Sequence, residues 1–233
     1  MQQEQELHTR SFVGREDVLA RISAWIDGAP GGGYLLLLGP PGQGKSALMA
    51  ELARRESATS GCMLHMIKSH RHPRRFVPAL VAQAAKLAGT SFGPAAYQGD
   101  VDALRNALVR ALGAVVEKRG RAVVVIDAID EVEGDQRVAF LPASLPAGVR
   151  VVLTARPEIS LVEALRARLS ALEERSVPAF GAGDLPALQV ARAAPARMWR
   201  VITPRRGSCS TSILPVCSGL RAPSTRASSC TCP

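Results

Sequence analysis

One short stretch constrains this chain more than any other. Gly39-Pro40-Pro41-Gly42-Gln43-Gly44-Lys45-Ser46 separates an apolar run, Tyr34 to Leu38, from a helical pattern with Leu48, Met49 and Leu52 on one face. A continuous apolar run bounded by glycines suits a strand buried on both faces, as in a parallel sheet. The glycines let the backbone curl until several N–H groups converge on one anion. The helix that follows adds its positive end. Lys45 supplies a point charge for β- and γ-phosphates, and the Ser46 hydroxyl is placed for Mg²⁺. The expected nucleotide site therefore comprises Gly39, Pro40, Pro41, Gly42, Gln43, Gly44, Lys45, Ser46 and the adjoining Ala47.

The pattern elsewhere extends this unit. Cys62 to Ile67, Ala122 to Ile126 and Val149 to Leu153 read as further buried strands, and Ser176 to Ala179 as a short fifth. Helical spacing predicts helices over Glu16 to Ile26, Ser46 to Arg55, Phe76 to Leu87 (Pro78 in the first turn), Val101 to Lys118 (capped by Asp100) and Ile159 to Leu172. A shorter helix is expected over Asp135 to Leu141. Strands alternating with helices predict an α/β fold: a P-loop NTPase three-layer sandwich with a parallel five-stranded sheet.

Three segments follow: a flexible N-terminus over residues 1–10, the NTPase domain over 11–180, and an irregular or disordered tail over 181–233. The tail is Ser, Thr, Pro, Arg and Cys without a period, so a native disordered tail and a frameshifted continuation both fit. The formal net charge is +9, but Arg192, Arg197, Arg200, Arg205, Arg206, Arg221 and Arg226 lie after Gly181 with only Asp184 opposing them. The excess therefore says little about the folded part. Cys209, Cys217, Cys230 and Cys232 crowd the tail, with no pair of CxxC knuckles and none of the usual zinc spacings. No run approaches the roughly 20 apolar residues of a membrane helix, and the polar start Met1-Gln2-Gln3-Glu4-Gln5-Glu6 lacks a signal peptide's pattern. A cytoplasmic location without a membrane partner is expected.

Other residues carry candidate chemistry. Asp127 ends the run Val123-Val124-Val125-Ile126, where a carboxylate lies on the ligand side of a parallel sheet and can hold Mg²⁺ through water. Hydrolysis needs a carboxylate to orient or deprotonate water. Residue 128 is Ala, so the nearest acids are Asp130, which is favoured, and Glu131; a solvated acidic loop is the alternative. Arg156, at the end of the fourth strand, either reaches a γ-phosphate or is a surface arginine before a proline turn, and Thr154 beside it can hydrogen-bond the attacking water or a phosphate oxygen. Arg15 either contacts the nucleotide or caps structure. His65 suits a satisfied core histidine better than a site residue. Arg71, Arg74 and Arg75 suit a solvated basic loop.

Together these residues resemble the STAND class of P-loop ATPases, relatives of NACHT and AP-ATPase domains within the wider AAA+ group. Phe12-Val13-Gly14-Arg15-Glu16 is similar to that class's hhGRE motif, Gly39 to Ser46 to its Walker A, and Val123 to Glu131 to its extended Walker B. Leu153-Thr154-Ala155-Arg156-Pro157 is similar to its T-S-R-P sensor, with Ala155 in place of Ser. The resemblance implies an ATP-binding, slowly hydrolysing regulatory switch. Arg15 would lie near the nucleotide, Arg156 would act as sensor, and self-association would depend on nucleotide. It also implies a continuation into a winged helix and a repeat array, WD40 or TPR, that would carry the protein partners and that this sequence lacks. A nucleotide-binding fragment without turnover and a nucleic-acid-associated AAA+ ATPase remain the alternatives. Nucleic acid is not the expected partner.

Overall fold

The computed structural model describes residues 14–28, 31–59, 61–67, 70–134 and 137–179. The glycine-bounded apolar run is β1 (Gly33–Leu38), and its neighbours are β2 (Gly61–Met66), β3 (Ala122–Asp127), β4 (Val149–Ala155) and β5 (Leu172–Ser176). All pairings are parallel, in the order β2-β3-β4-β1-β5. The helices are α1 (Glu16–Asp27), α2 (Lys45–Thr59), α3 (Pro73–Ala88), α4 (Val101–Arg119) and α5 (Ile159–Arg168).

Strand side chains alternate between two apolar clusters, as the pleat requires. Leu35, Leu37, Val123, Val125 and Val152 pack against Leu19 and Ile22 of α1 and Leu48 and Leu52 of α2. Leu36, Val124, Ile126, Val151 and Leu153 face Phe76 and Leu80 of α3, Leu108 and Leu112 of α4, and Leu165 of α5. Three layers result, with strands buried on both faces. Each such aliphatic side chain contributes about 1.5–3 kcal/mol when fully buried.

The topology also fixes the site. β4 lies between β1 and β3, and the register pairs Leu37 with Thr154 and Ile126 with Leu153. The C-terminal ends of the three interior strands β1, β3 and β4 thus bring the glycine loop, Asp127 and Thr154 to one level at one end of the sheet.

Four predicted elements differ. Helix α5 stops at Arg168, and the fifth strand is Leu172–Ser176 rather than 176–179. Ser170 N–H donates to Ala143 O at 3.0 Å and Tyr34 N–H to Ala171 O at 2.8 Å, so the chain leaves the helix to pair with β1. As an edge strand reading Leu-Glu-Glu-Arg-Ser, it carries no apolar run to announce it. Helix α3 starts at Pro73, with His72 as its cap, so Pro78 lies inside the helix and not in its first turn. Of the short helix expected over 135–141, residues 137–140 form a turn. The expected lead-in at 1–10, Phe12 and Val13 of the N-terminal motif, and the tail from 181 with its cysteines lie outside the described residues. No helix among the described residues is long and apolar enough to cross a membrane.

Candidate functional site

The glycine loop curls by two left-handed residues, Gly42 (φ 80°) and Gly44 (φ 69°), a backbone conformation that costs glycine little. At Gly39 a Cβ would lie 2.5 Å from the Gln43 Oε1, so a larger residue there would displace the end of the Gln43 side chain. The loop borders a cavity of about 370 Å³ lined by residues 41–47 together with Asp127, Ala128, Asp130, Glu131 and Arg156. Gly39 and Pro40 are not in that lining; their carbonyls accept from Lys45 Nζ at 2.6 and 3.0 Å. Burial lowers the Lys45 pKa; Asp130 and Asp127 oppose that shift, and Arg156 and Arg15 add to it.

At the other end of the cavity Asp127 is engaged on both oxygens. Ser46 donates to Oδ2 at 2.6 Å and Thr154 to Oδ1 at 2.6 Å. The Thr154 hydroxyl also accepts from Ala128 N–H at 2.8 Å. Thr154 is fully buried and Asp127 only 2% exposed. The expectation that Thr154 addresses the attacking water or a phosphate is therefore corrected: its proton is spent on Asp127, and it orients the carboxylate. Ala128 has φ 62°. The left-handed region costs an L-residue about 1–2 kcal/mol, which accounts for a small residue directly after Asp127.

The two candidate acids share one arginine. Arg156 N–H donates to Asp130 Oδ1 at 3.1 Å, and its guanidinium lies 3.4 Å from Asp130 Oδ2 and 3.3 Å from Glu131 Oε1. Arg71 lies 3.6 Å from the other Glu131 oxygen and 3.9 Å from Glu133. Arg71 was expected to be simply solvated. Its contact follows from β2 being the sheet neighbour of β3, which places the loops after the two strands side by side, and no local sequence signal reports it.

The remaining candidates lie outside the cavity lining. Arg15, in the left-handed region at φ 59°, is buried and donates through Nη2 to Pro178 O at 2.8 Å. It ties the start of the domain to the segment after β5. His65 is 6% exposed and stacks on Phe76 with centroids 4.9 Å apart. It is a core residue as expected, but not a satisfied one: neither ring nitrogen has a hydrogen-bond partner among the described residues.

The donor set fits Mg²⁺. Ser46 Oγ and Asp127 Oδ2 are hard oxygens at the cavity wall, and Mg²⁺ is commonly held by one or two protein oxygens plus phosphates and waters. No cluster of three or more His, Cys, Asp or Glu able to hold a metal occurs among the described residues. The curled loop, the helix α2 N-terminus and Lys45 fit a polyphosphate.

A family model described as AAA ATPase domain matches residues 11–203. No curated protein matches the chain. Among solved structures, the Walker-type ATPase PABY2304 of Pyrococcus abyssi aligns with a TM-score of 0.52 at 16% identity, over 77% of this chain and 57% of that one. Cdc6p from Pyrobaculum aerophilum aligns with a TM-score of 0.48 at 16% identity, over 81% of this chain and 52% of its own. The chain thus spans little more than half the length of these structures, and at such identity the likeness to the first is one of fold.

Proposed function

Because the chain belongs to the AAA ATPase domain family, we propose that it binds ATP with Mg²⁺ and hydrolyses it slowly, as the nucleotide module of a STAND-type regulatory switch. The observation that carries this reading is the chain of hydrogen bonds Ser46–Asp127–Thr154 beside the curled glycine loop. It joins a phosphate cradle to a preoriented metal-binding carboxylate. The STAND assignment is supported by the order of the motifs and by the small, left-handed Ala128 between Asp127 and the acids.

In this proposal the backbone N–H groups of the non-proline residues within 39–47 cradle the polyphosphate, and Lys45 exchanges the Gly39 and Pro40 carbonyls for phosphate oxygens. Ser46 and Asp127 would hold Mg²⁺, which when bound would neutralise phosphate charge. Asp130 accepts the proton of the attacking water, with Glu131 as the second candidate. Arg156 turns from these acids toward the γ-phosphate. Arg15 braces the nucleotide pocket from the α1 side. Nucleotide-dependent self-association, and partners bound through a continuation beyond this chain, belong to the same reading.

A binder without turnover is the second reading. It is favoured by one observation, that Arg156 engages both acids at once. A fluorescent ATP analogue titrated with Mg²⁺ tests binding: Lys45→Ala should weaken it at least tenfold, and equal affinity in both proteins would refute the phosphate site. Phosphate release from wild type, Asp130→Asn and Glu131→Gln then separates the two readings, since only a hydrolase loses turnover in one of the variants.

A further inference from the structure

We propose that the surface made by His70 to Arg75 and the first turn of α3 binds the phosphodiester backbone of a nucleic acid. This goes beyond the ATPase reading and does not depend on it. It also revises the expectation that these arginines are merely solvated and that nucleic acid is not a partner.

The first observation is charge. From residue 57 to residue 99 the sequence holds no Asp or Glu, while it carries Lys68, Arg71, Arg74, Arg75 and Lys86. Three of the chain's four histidines, His65, His70 and His72, fall in the same segment. This is an asymmetry of the folded part, separate from the basic tail.

The second is placement. His70, Arg71, His72, Arg74 and Arg75 are all exposed. Arg71 is drawn back toward Glu131 and Glu133. Arg74 and Arg75 make no side-chain hydrogen bond or ion pair among the described residues and do not line the nucleotide cavity. They occupy the second and third positions of α3, after Pro73. The helix dipole is positive there, so cations are unfavourable, and no acid lies in that turn to offset them. An anion would relieve both the arginines and the helix end. His72 caps the helix by accepting from Arg74 N–H through Nδ1 at 3.2 Å.

The third observation selects the class of partner. A protein partner generally needs a desolvated apolar or aromatic centre. Phe76 and Val77 of this turn are fully buried, and the large apolar residue exposed among the described residues is Ile159, in a different helix. A surface of guanidinium and imidazole groups without an apolar anchor suits a phosphate backbone, which is bound by charge and carries no sequence information.

The test is fluorescence anisotropy with the full chain, nucleotide-free, on a labelled 20-base DNA strand, a 20-base-pair DNA duplex and an RNA hairpin, across 50–200 mM salt. The variant is Arg74→Glu/Arg75→Glu. Glutamates in a first helical turn complement the dipole, so the fold should hold, and an unchanged or raised melting midpoint by circular dichroism checks it. Wild type should bind one or more of the probes. The variant should bind at least tenfold more weakly at 50 mM salt. Its log–log salt slope should be shallower by about 1.8 on duplex or about 1.4 on single strand, for two lost phosphate contacts. Absence of wild-type binding to all three probes overturns the proposal. So does an unchanged slope in the variant, which would assign binding to the tail arginines. Equally tight binding of labelled polyglutamate, lost in the same variant, overturns it in favour of an acidic protein partner.

Discussion

Replacing Thr154 by valine keeps the side chain's shape and deletes one hydroxyl. That hydroxyl is fully buried; it donates to Asp127 and accepts from Ala128 N–H. A hydrogen bond to a charged group is worth about 1.5–3 kcal/mol, and a neutral one about 0.5–1.5 kcal/mol. Asp127 keeps Ser46 on its other oxygen, and Ala128 is half-buried, so some of the loss is recovered. The net destabilisation should be about 2–4 kcal/mol, which lowers the melting midpoint of a domain of this size by roughly 5–12 °C. Thr154→Ser keeps the hydroxyl and loses only a buried methyl, about 1 kcal/mol. Urea unfolding without Mg²⁺ or nucleotide measures both. The second consequence concerns binding. A carboxylate released on one oxygen loses its orientation, so Mg²⁺-dependent affinity for an ATP analogue should fall about tenfold in the valine variant, with binding in EDTA much less affected. If Thr154→Val is no less stable than Thr154→Ser, and its Mg²⁺-dependent binding is intact, Thr154 does not position Asp127.

Arg156→Ala should move the melting midpoint by less than about 3 °C, because ion pairs of a half-exposed arginine contribute at most about 1 kcal/mol; phosphate release should nevertheless drop at least tenfold while analogue binding persists, and unaltered turnover would remove Arg156 from the mechanism. Ala128→Gly should raise stability by about 1 kcal/mol by relieving the left-handed strain, and Ala128→Val should lower it; urea midpoints in the opposite order would contradict the strain. Burial, assisted by nearby His70, pushes His65 down to about 4, whereas in the unfolded chain it titrates near 6.5. The unfolded state therefore takes up the proton first, and stability is lost as pH falls from about 6.5 toward 4, by about 2 kcal/mol at pH 5. His65→Phe should flatten that part of the slope between pH 7 and pH 5 in urea titrations, and an unchanged slope would acquit the histidine.

The glycine loop and Asp127 were legible because each couples a local residue pattern to a strand or helix end. A Gly-rich turn between an apolar run and a helix has few other uses, and an acid that closes a run of Val and Ile has to leave the core on the ligand side. The acids at 130 and 131 were legible for the same reason. What escaped is relational. The Thr154 hydroxyl meets Asp127 only because β4 inserts between β1 and β3, and strand order leaves no trace in a single sequence. The Arg71 contact with Glu131 requires β2 beside β3. Strand β5 has polar side chains on both faces, since an edge strand can be held by backbone pairing to β1 rather than by an apolar face.

These relational contacts share a chemical logic. Every charged group aimed at the cavity has an internal counterpart: Lys45 on two loop carbonyls, Asp127 on Ser46 and Thr154, Asp130 and Glu131 on Arg156. The counterparts are not equal in strength. Asp127 is held in a buried environment where hydrogen bonds to charge are costly to break, whereas Arg156 is half-exposed and its pairs are screened. A polyphosphate entering the cavity would therefore exchange the Lys45 and Arg156 contacts at small cost and leave the Asp127–Thr154 bond in place. The cavity thus divides into a fixed corner, suited to holding a metal in one geometry, and a yielding rim, where the presence or loss of a terminal phosphate can change which partner Arg156 takes. That division suits the proposed switch, and it predicts that substitutions at Thr154 and Arg156 fail differently: the first in stability and metal dependence, the second in turnover.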